Sequence, residues 1–162
     1  MPTTRKTPAP RPKAPAPGGT RKPGVRLLAT VPLFEGLSQA HLRQIAALAD
    51  EVVYSPGRMI VRTGSPGQAF YVIVDGQAKV IRGTIASAQA TWSLGPGGFF
   101  GELALLDGGP RTASVVAETP LTTIRIERAP FRQMLKAEPD IALKLLEVMA
   151  GRARDLMTQP SL

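Results

Sequence analysis

Hydrophobic positions recur along this chain with two different periods, and the switch between them divides it into parts. Behind Ser38, the residues Leu42, Ile45, Leu48 and Ala49 return every three or four positions, as on one face of a helix. Ser38 is a good N-cap, and the spacing predicts a helix that ends by Asp50. An apolar knot, Val31-Pro32-Leu33-Phe34 with Gly36-Leu37, precedes it. From Glu51 the period falls to two. Residues 52–54, 59–61, 70–74, 78–81, 91–94, 114–117 and 121–126 read as strands. Ser55-Pro56-Gly57, the 63–67 stretch, Asp75-Gly76 and the 95–98 stretch read as the turns between them. Residues 83–90 are small and polar and read as a hairpin tip. The helical period then returns. Pro130 suits a first helical turn, with Phe131, Met134 and Leu135 on its apolar side. Pro139-Asp140 opens a longer helix, in which Ile141, Leu145, Val148, Met149, Arg152 and Leu156 fall at spacings of three and four. Many short strands with turn residues between them predict a closed or double-sheet β architecture with flanking helices.

Charge changes the picture at the N-terminus. Residues 1–26 carry seven basic residues and no acid, whereas the remainder holds 13 basic and 12 acidic residues. Seven of the eight units of formal net positive charge therefore belong to the leading segment. That segment also holds seven of the sixteen prolines and no aromatic residue. It buries too little apolar surface to offset its ordering entropy, so residues 1–24 are expected to be a disordered, partly polyproline-like tail. A single domain over 25–158 follows. The plain reading of the tail is a solubilising leader; the sharper one is a salt-sensitive contact with nucleic acid, anionic lipid or an acidic partner.

Several classes are excluded on composition. There is no cysteine, hence no disulfide framework or thiolate metal site, which fits a reducing cytoplasm. No apolar run has the length of a membrane span. The only histidine, His41, lies near a helix start, where a solvated or capping role suits it. No metal site is expected, since a histidine-rich jelly-roll metal centre needs several clustered imidazoles. No nucleophile, base and orienting group occur together, so the chain reads as a non-enzyme. Richness in Ala, Gly, Pro and Arg suggests a GC-rich bacterial source.

The chemistry concentrates in residues 100–113. Phe100-Gly101-Glu102-Leu103-Ala104 runs through Leu105 and Leu106 into the Asp107-Gly108-Gly109-Pro110 turn, closed by Arg111-Thr112-Ala113. Gly101 lets backbone approach a ligand or take positive φ. Residues 102–106 read as one short helical turn, whose first N–H groups have no internal partner and point at an anion. Arg111 then donates a two-pronged hydrogen bond to phosphate oxygens. Glu102 would repel a phosphate, but it suits a sugar hydroxyl. Both charges sit among Gly, Leu and Ala, where an uncompensated charge is costly.

This stretch resembles the phosphate-binding cassette of the cyclic nucleotide-binding domain family, to which the catabolite activator protein and the regulatory subunits of cyclic-AMP-dependent kinase belong. Pro56-Gly57, Gly64, Tyr71-Val72-Ile73 and Gly76 fit the glycine rhythm of the family's eight-stranded β-roll, or jelly roll. The match runs over roughly residues 31–157. The resemblance implies a roll with an N-terminal helix and two C-terminal helices. It also implies a ligand, cyclic AMP or cyclic GMP, and no cofactor. It places backbone contacts on Gly101, Leu103 and Ala104, the ribose on Glu102 and the phosphate on Arg111. Thr112 and Ala113 follow at the rim. A threonine at 112 keeps cyclic GMP open beside cyclic AMP. The last helix of this family moves as a lid or pairs with its twin, which implies a protein effector and a homodimer as partners. Trp92, Arg152 and Arg154 are candidates to meet a base, each with a plain packing or solvent-facing alternative. No segment past the last helix supplies a DNA-reading head, so sequence-specific DNA binding is not expected. The competing reading is an interaction module of the same fold that takes no cyclic mononucleotide, or takes a cyclic dinucleotide.

Overall fold

A computed structural model describes residues 18–83, 88–101 and 107–158. The elements run β1 (Thr20–Arg21), α1 (Val25–Ala29), a 3-10 turn (Pro32–Phe34), α2 (Gln39–Leu48), β2 (Ala49–Tyr54), β3 (Met59–Val61) and β4 (Ala69–Asp75). They continue with β5 (Ala78–Gly83), β6 (Ala88–Leu94), β7 (Phe99–Phe100), β8 (Ser114–Ala117), β9 (Leu121–Glu127), α3 (Arg128–Ala137) and α4 (Pro139–Thr158). The strands form two antiparallel sheets, in the orders β1-β2-β9-β4-β7 and β3-β8-β5-β6. The fold is mainly β with helices at both ends, as the period change predicts, and it is the roll that the resemblance implies.

The alternation along β4 explains how the two sheets and the helices share one core. Phe70, Val72 and Val74 point to one side and pack with Leu28, Phe34, Ile45, Phe131 and Ile141 of the helical layer. Ala69, Tyr71 and Ile73 point to the other side and fill the inside of the roll with Val80, Phe100, Val115 and Leu121. A strand buried on both faces reads as a continuous apolar run, which is why 70–74 lacks a polar alternation. Its neighbour β9 repeats the pattern, with Val72 opposite Ile124 and Tyr71 opposite Arg125. The Asp75-Gly76 turn leaves β4 with Gly76 at φ +90°, where a Cβ would collide with the Pro120 carbonyl. The hairpin tip is narrower than 83–90, because β6 begins at Ala88.

The chain is structured earlier than Val25. Residues 20–21 add a strand to the edge of β2, Thr20 opposite Val52 and Arg21 opposite Glu51. Electrostatics explains this difference from the expected disorder up to residue 24. Glu51 is only 4% exposed and accepts from Arg21 Nε at 2.8 Å and from Nη2 at 3.1 Å. Lys22 Nζ donates to the carbonyls of Ala47 and Ala49, each at 3.1 Å. Three of the seven basic residues thus belong to the fold: Arg21, Lys22 and, in α1, Arg26. Residues 1–17 lie outside the described residues.

Ser38 caps α2 as its sequence position suggests, its Oγ accepting from the His41 N–H at 3.1 Å. The His41 imidazole lies 3.7 Å from a Glu138 carboxylate oxygen, between α2 and α3. No helix of the described residues is long and apolar enough to cross a membrane.

Candidate functional site

Arg111 leaves the turn at Pro110 with its backbone pinned on both sides. Its N–H donates to the Ser65 carbonyl at 2.9 Å, and its own carbonyl accepts from the Gly64 N–H at 2.8 Å. The side chain then turns inward and is 8% exposed. Nη2 donates to the Ala69 carbonyl at 2.6 Å, and Nη1 reaches the Gly101 carbonyl at 3.5 Å. Main-chain oxygens thus fix the plane of a guanidinium that keeps its charge at any ordinary pH.

Gly101 is the complement of that arrangement. Its φ is +85°, and a Cβ there would collide with Arg111 Nη1 and come within 3.0 Å of the Ala69 carbonyl. The glycine admits the arginine as well as a left-handed turn. Thr112 is exposed and Ala113 half-buried at the mouth of the same space. Ser114 turns away from it: its Oγ accepts from the Thr63 N–H at 2.9 Å and lies 3.1 Å from Thr63 Oγ1. Glu102, Leu103 and Ala104, and with them the short helical turn over 102–106, lie outside the described residues.

The space that Gly101, Arg111, Thr112 and Ala113 share is a cavity of about 760 Å³. Val61, Val80, Phe100 and Val115 form its apolar wall inside the roll. The Tyr71 ring stacks behind Phe100, centroids 4.9 Å apart and planes 12° from parallel. Met149, Arg152, Asp155 and Leu156 of α4 close the other side. Arg152 Nη2 donates to the Gly97 carbonyl at 2.8 Å, and its guanidinium stands 4.2 Å above the Phe99 ring. Arg154 is exposed. Trp92, 42% exposed, lines the mouth with Arg82, whose guanidinium lies 5.6 Å from the indole.

The charges converge. Arg82, Arg111 and Arg152 line the cavity against one carboxylate, Asp155, among the described residues. An apolar slot with a buried cation at one end suits a ligand with a flat apolar body and a compact negative group. No group of three or more His, Asp or Glu side chains that could hold a metal occurs among the described residues. Two features escaped the sequence reading. The pairing of Arg82 with Trp92 was hidden because these residues stand on different strands, brought opposite by the register of Val80 with Trp92. The hold of Arg152 on Gly97 spans 55 positions. The signal that was available for both is only their residue type.

The comparisons with known proteins now bear on this geometry. Residues 51–138 match the sequence profile of the cyclic nucleotide-binding domain. The chain belongs to the cyclic nucleotide-binding domain family. A cAMP-dependent protein kinase regulatory subunit of Aspergillus fumigatus is 38% identical over 70% of the chain and 27% of that protein. A cyclic nucleotide-gated potassium channel of Mesorhizobium japonicum is 35% identical over 72% of the chain and 31% of that protein. Among solved structures, the catabolite activator protein of Thermus thermophilus superposes with a TM-score of 0.67 at 31% identity, over 77% of the chain and 59% of that structure. The chain therefore spans about a third or less of the length of these two curated relatives. The family supports a regulatory role through cyclic nucleotide binding, and in this cyclic nucleotide-binding domain the pinned arginine and the cavity stand in one place.

Proposed function

We propose that this domain is a cyclic nucleotide sensor that acts without catalysis, taking cyclic AMP or cyclic GMP in the 760 Å³ cavity and signalling through its C-terminal helices. One observation carries the reading: a guanidinium only 8% exposed lines an apolar cavity large enough for a nucleotide. Arg111 donates its fork to the cyclic phosphate, with the N–H groups of Leu103 and Ala104 beside it. Glu102 accepts from the ribose 2′-hydroxyl. Trp92 offers the base an aromatic face, and Leu156 and Met149 cover it from α4.

The C-terminal helices are the natural output. α4 supplies a wall of the cavity, so a ligand there contacts it directly. A ligand that favours one placement of α4 over another shifts the population between them. Leu143 and Leu146 are 57% and 54% exposed on α4 and give an effector protein or a second copy of the chain an apolar surface.

Calorimetric titration with cyclic AMP, cyclic GMP and cyclic di-GMP tests the reading. Saturable heat with a cyclic mononucleotide, lost in Arg111→Ala, is the expected result. Folded protein that takes up none of the mononucleotides at millimolar concentration rules it out.

A further inference from the structure

A second arginine lies against a glycine of the same stretch. The turn Asp107-Gly108-Gly109-Pro110 leads into Arg111, and Gly108 stands in it at φ +69°. A Cβ on Gly108 would meet Nη2, Cζ and Nε of Arg128 at 3.0, 3.2 and 3.6 Å. Three atoms of one plane at such similar distances place the guanidinium face-on against the turn. Gly101 with Arg111 and Gly108 with Arg128 thus repeat one arrangement within the 101–111 stretch.

Arg128 is anchored apart from that turn. It is the first residue of α3, and its N–H donates to the Gln68 carbonyl at 2.8 Å, at the end of the β4–β9 ladder. Only its side chain spans from the helix to the turn. The placement is costly twice over. Nε is buried and has no hydrogen-bond partner among the described residues, and a buried donor without an acceptor carries its desolvation penalty uncompensated. A cation at a helix N-terminus also opposes the helix dipole, and α3 has no acidic residue in its first turn. The N-cap residue, Glu127, makes no side-chain cap and accepts instead from Arg125 Nη1 at 3.3 Å. A position that breaks two local rules, yet holds an arginine laid on a glycine, points to a role other than stability.

We propose that Arg128 is a positioning residue for the phosphate cradle. Its guanidinium plate holds the 107–110 turn, so that Arg111 enters the cavity already oriented, and it ties that turn to α3. A turn ordered in advance spares binding the cost of ordering it. The effect on affinity rests on the cradle binding nucleotide as proposed above; the clamp on the turn does not. Two bonds of the turn report on the clamp. The Gly109 N–H donates to Asp107 Oδ1 at 2.8 Å, and the Arg111 N–H donates to the Ser65 carbonyl at 2.9 Å.

Arg128→Met tests this, because it keeps a long side chain but removes the plate, the orphaned donor and the adverse charge. The full chain is followed by thermal melts, by residue-resolved hydrogen exchange without ligand, and by calorimetry with cyclic AMP and cyclic GMP. The expected result is an unchanged or higher Tm, several-fold faster exchange at the Gly109 and Arg111 amides, and several-fold weaker nucleotide affinity. Stability kept while affinity falls is a pattern that a merely structural residue does not give. Arg128→Lys separates plate from charge and should lose affinity as the methionine variant does; it also carries the exchange and affinity measurements if that variant does not fold. Full rescue by lysine, unchanged exchange at both amides, or a lower Tm with exchange quickened throughout the chain would overturn the proposal. If the native chain takes up no cyclic nucleotide while exchange at the turn still quickens in the variants, the clamp stands and the sensor reading falls.

Discussion

At Arg111 the decisive quantity is geometry rather than charge alone. Two carbonyls orient its fork, so Arg111→Lys keeps the charge but loses the paired donors. We expect Arg111→Lys to weaken cyclic nucleotide binding by roughly 10-fold or more, and Arg111→Ala by roughly 100-fold or more, on the scale of charged hydrogen bonds. Isothermal calorimetry reads both. Gly101 is constrained twice, by its φ of +85° and by the guanidinium beside it. Gly101→Val should therefore lower stability by about 2 kcal/mol or more in thermal or urea melts and also impair binding. A purely conformational role would spare the binding of whatever fraction remains folded.

Two elements gain their stability from pairs the tertiary fold creates. The short strand β1 is held by the Arg21 fork on Glu51, and a carboxylate 4% exposed depends on that partner. Arg21→Ala should lower stability measurably, because it takes that partner from a buried carboxylate. Adding Glu51→Gln should recover part of the loss, which a chemical denaturation cycle of the four proteins would measure. Strand β2 ends at Tyr54, whose hydroxyl pKa is pushed up to about 12, first by burial and then by the neighbouring Tyr71. The folded state favours the protonated phenol more than the unfolded chain does. This contribution is complete below about pH 10, the ordinary tyrosine value, and is lost as pH rises toward 12. Alkaline melts should steepen over that window, and Tyr54→Phe should flatten them.

For the whole molecule, the roll and the helical layer meet at β4, and the cavity lies between the roll and α4. Because Trp92 is the only tryptophan and lines the cavity mouth, its fluorescence reports on that mouth directly. We expect a change in its intensity or wavelength that tracks cyclic nucleotide occupancy. Arg152→Ala removes the hydrogen bond to Gly97 and the stack on Phe99, so hydrogen exchange along 149–158 should quicken in the ligand-free protein. Unchanged exchange there would show that α4 is held by its apolar contacts alone.

Local pattern fixed the element types before any contact was known. The two-residue period, the three-to-four-residue helical spacing, the Ser38 cap and the glycine-punctuated turns are properties of neighbours in the chain, so a β architecture with terminal helices was legible, and the motif resemblance named the roll. The cassette motif was legible for the same reason, since Gly101 and Arg111 belong to one continuous stretch. Contacts between distant positions were not. The strand at Thr20–Arg21 depends on an acid 30 residues away, and local composition there argues for disorder. The Arg82 and Trp92 pair arises from the register of two strands, and the hold of Arg152 on Gly97 from the docking of a helix on the roll. Sequence by itself determined the element types and placed the candidate residues Gly101 and Arg111 in one stretch; only the tertiary structure decided which residues face one another, because hydrophobic pattern specifies faces but strand register and helix docking specify neighbours.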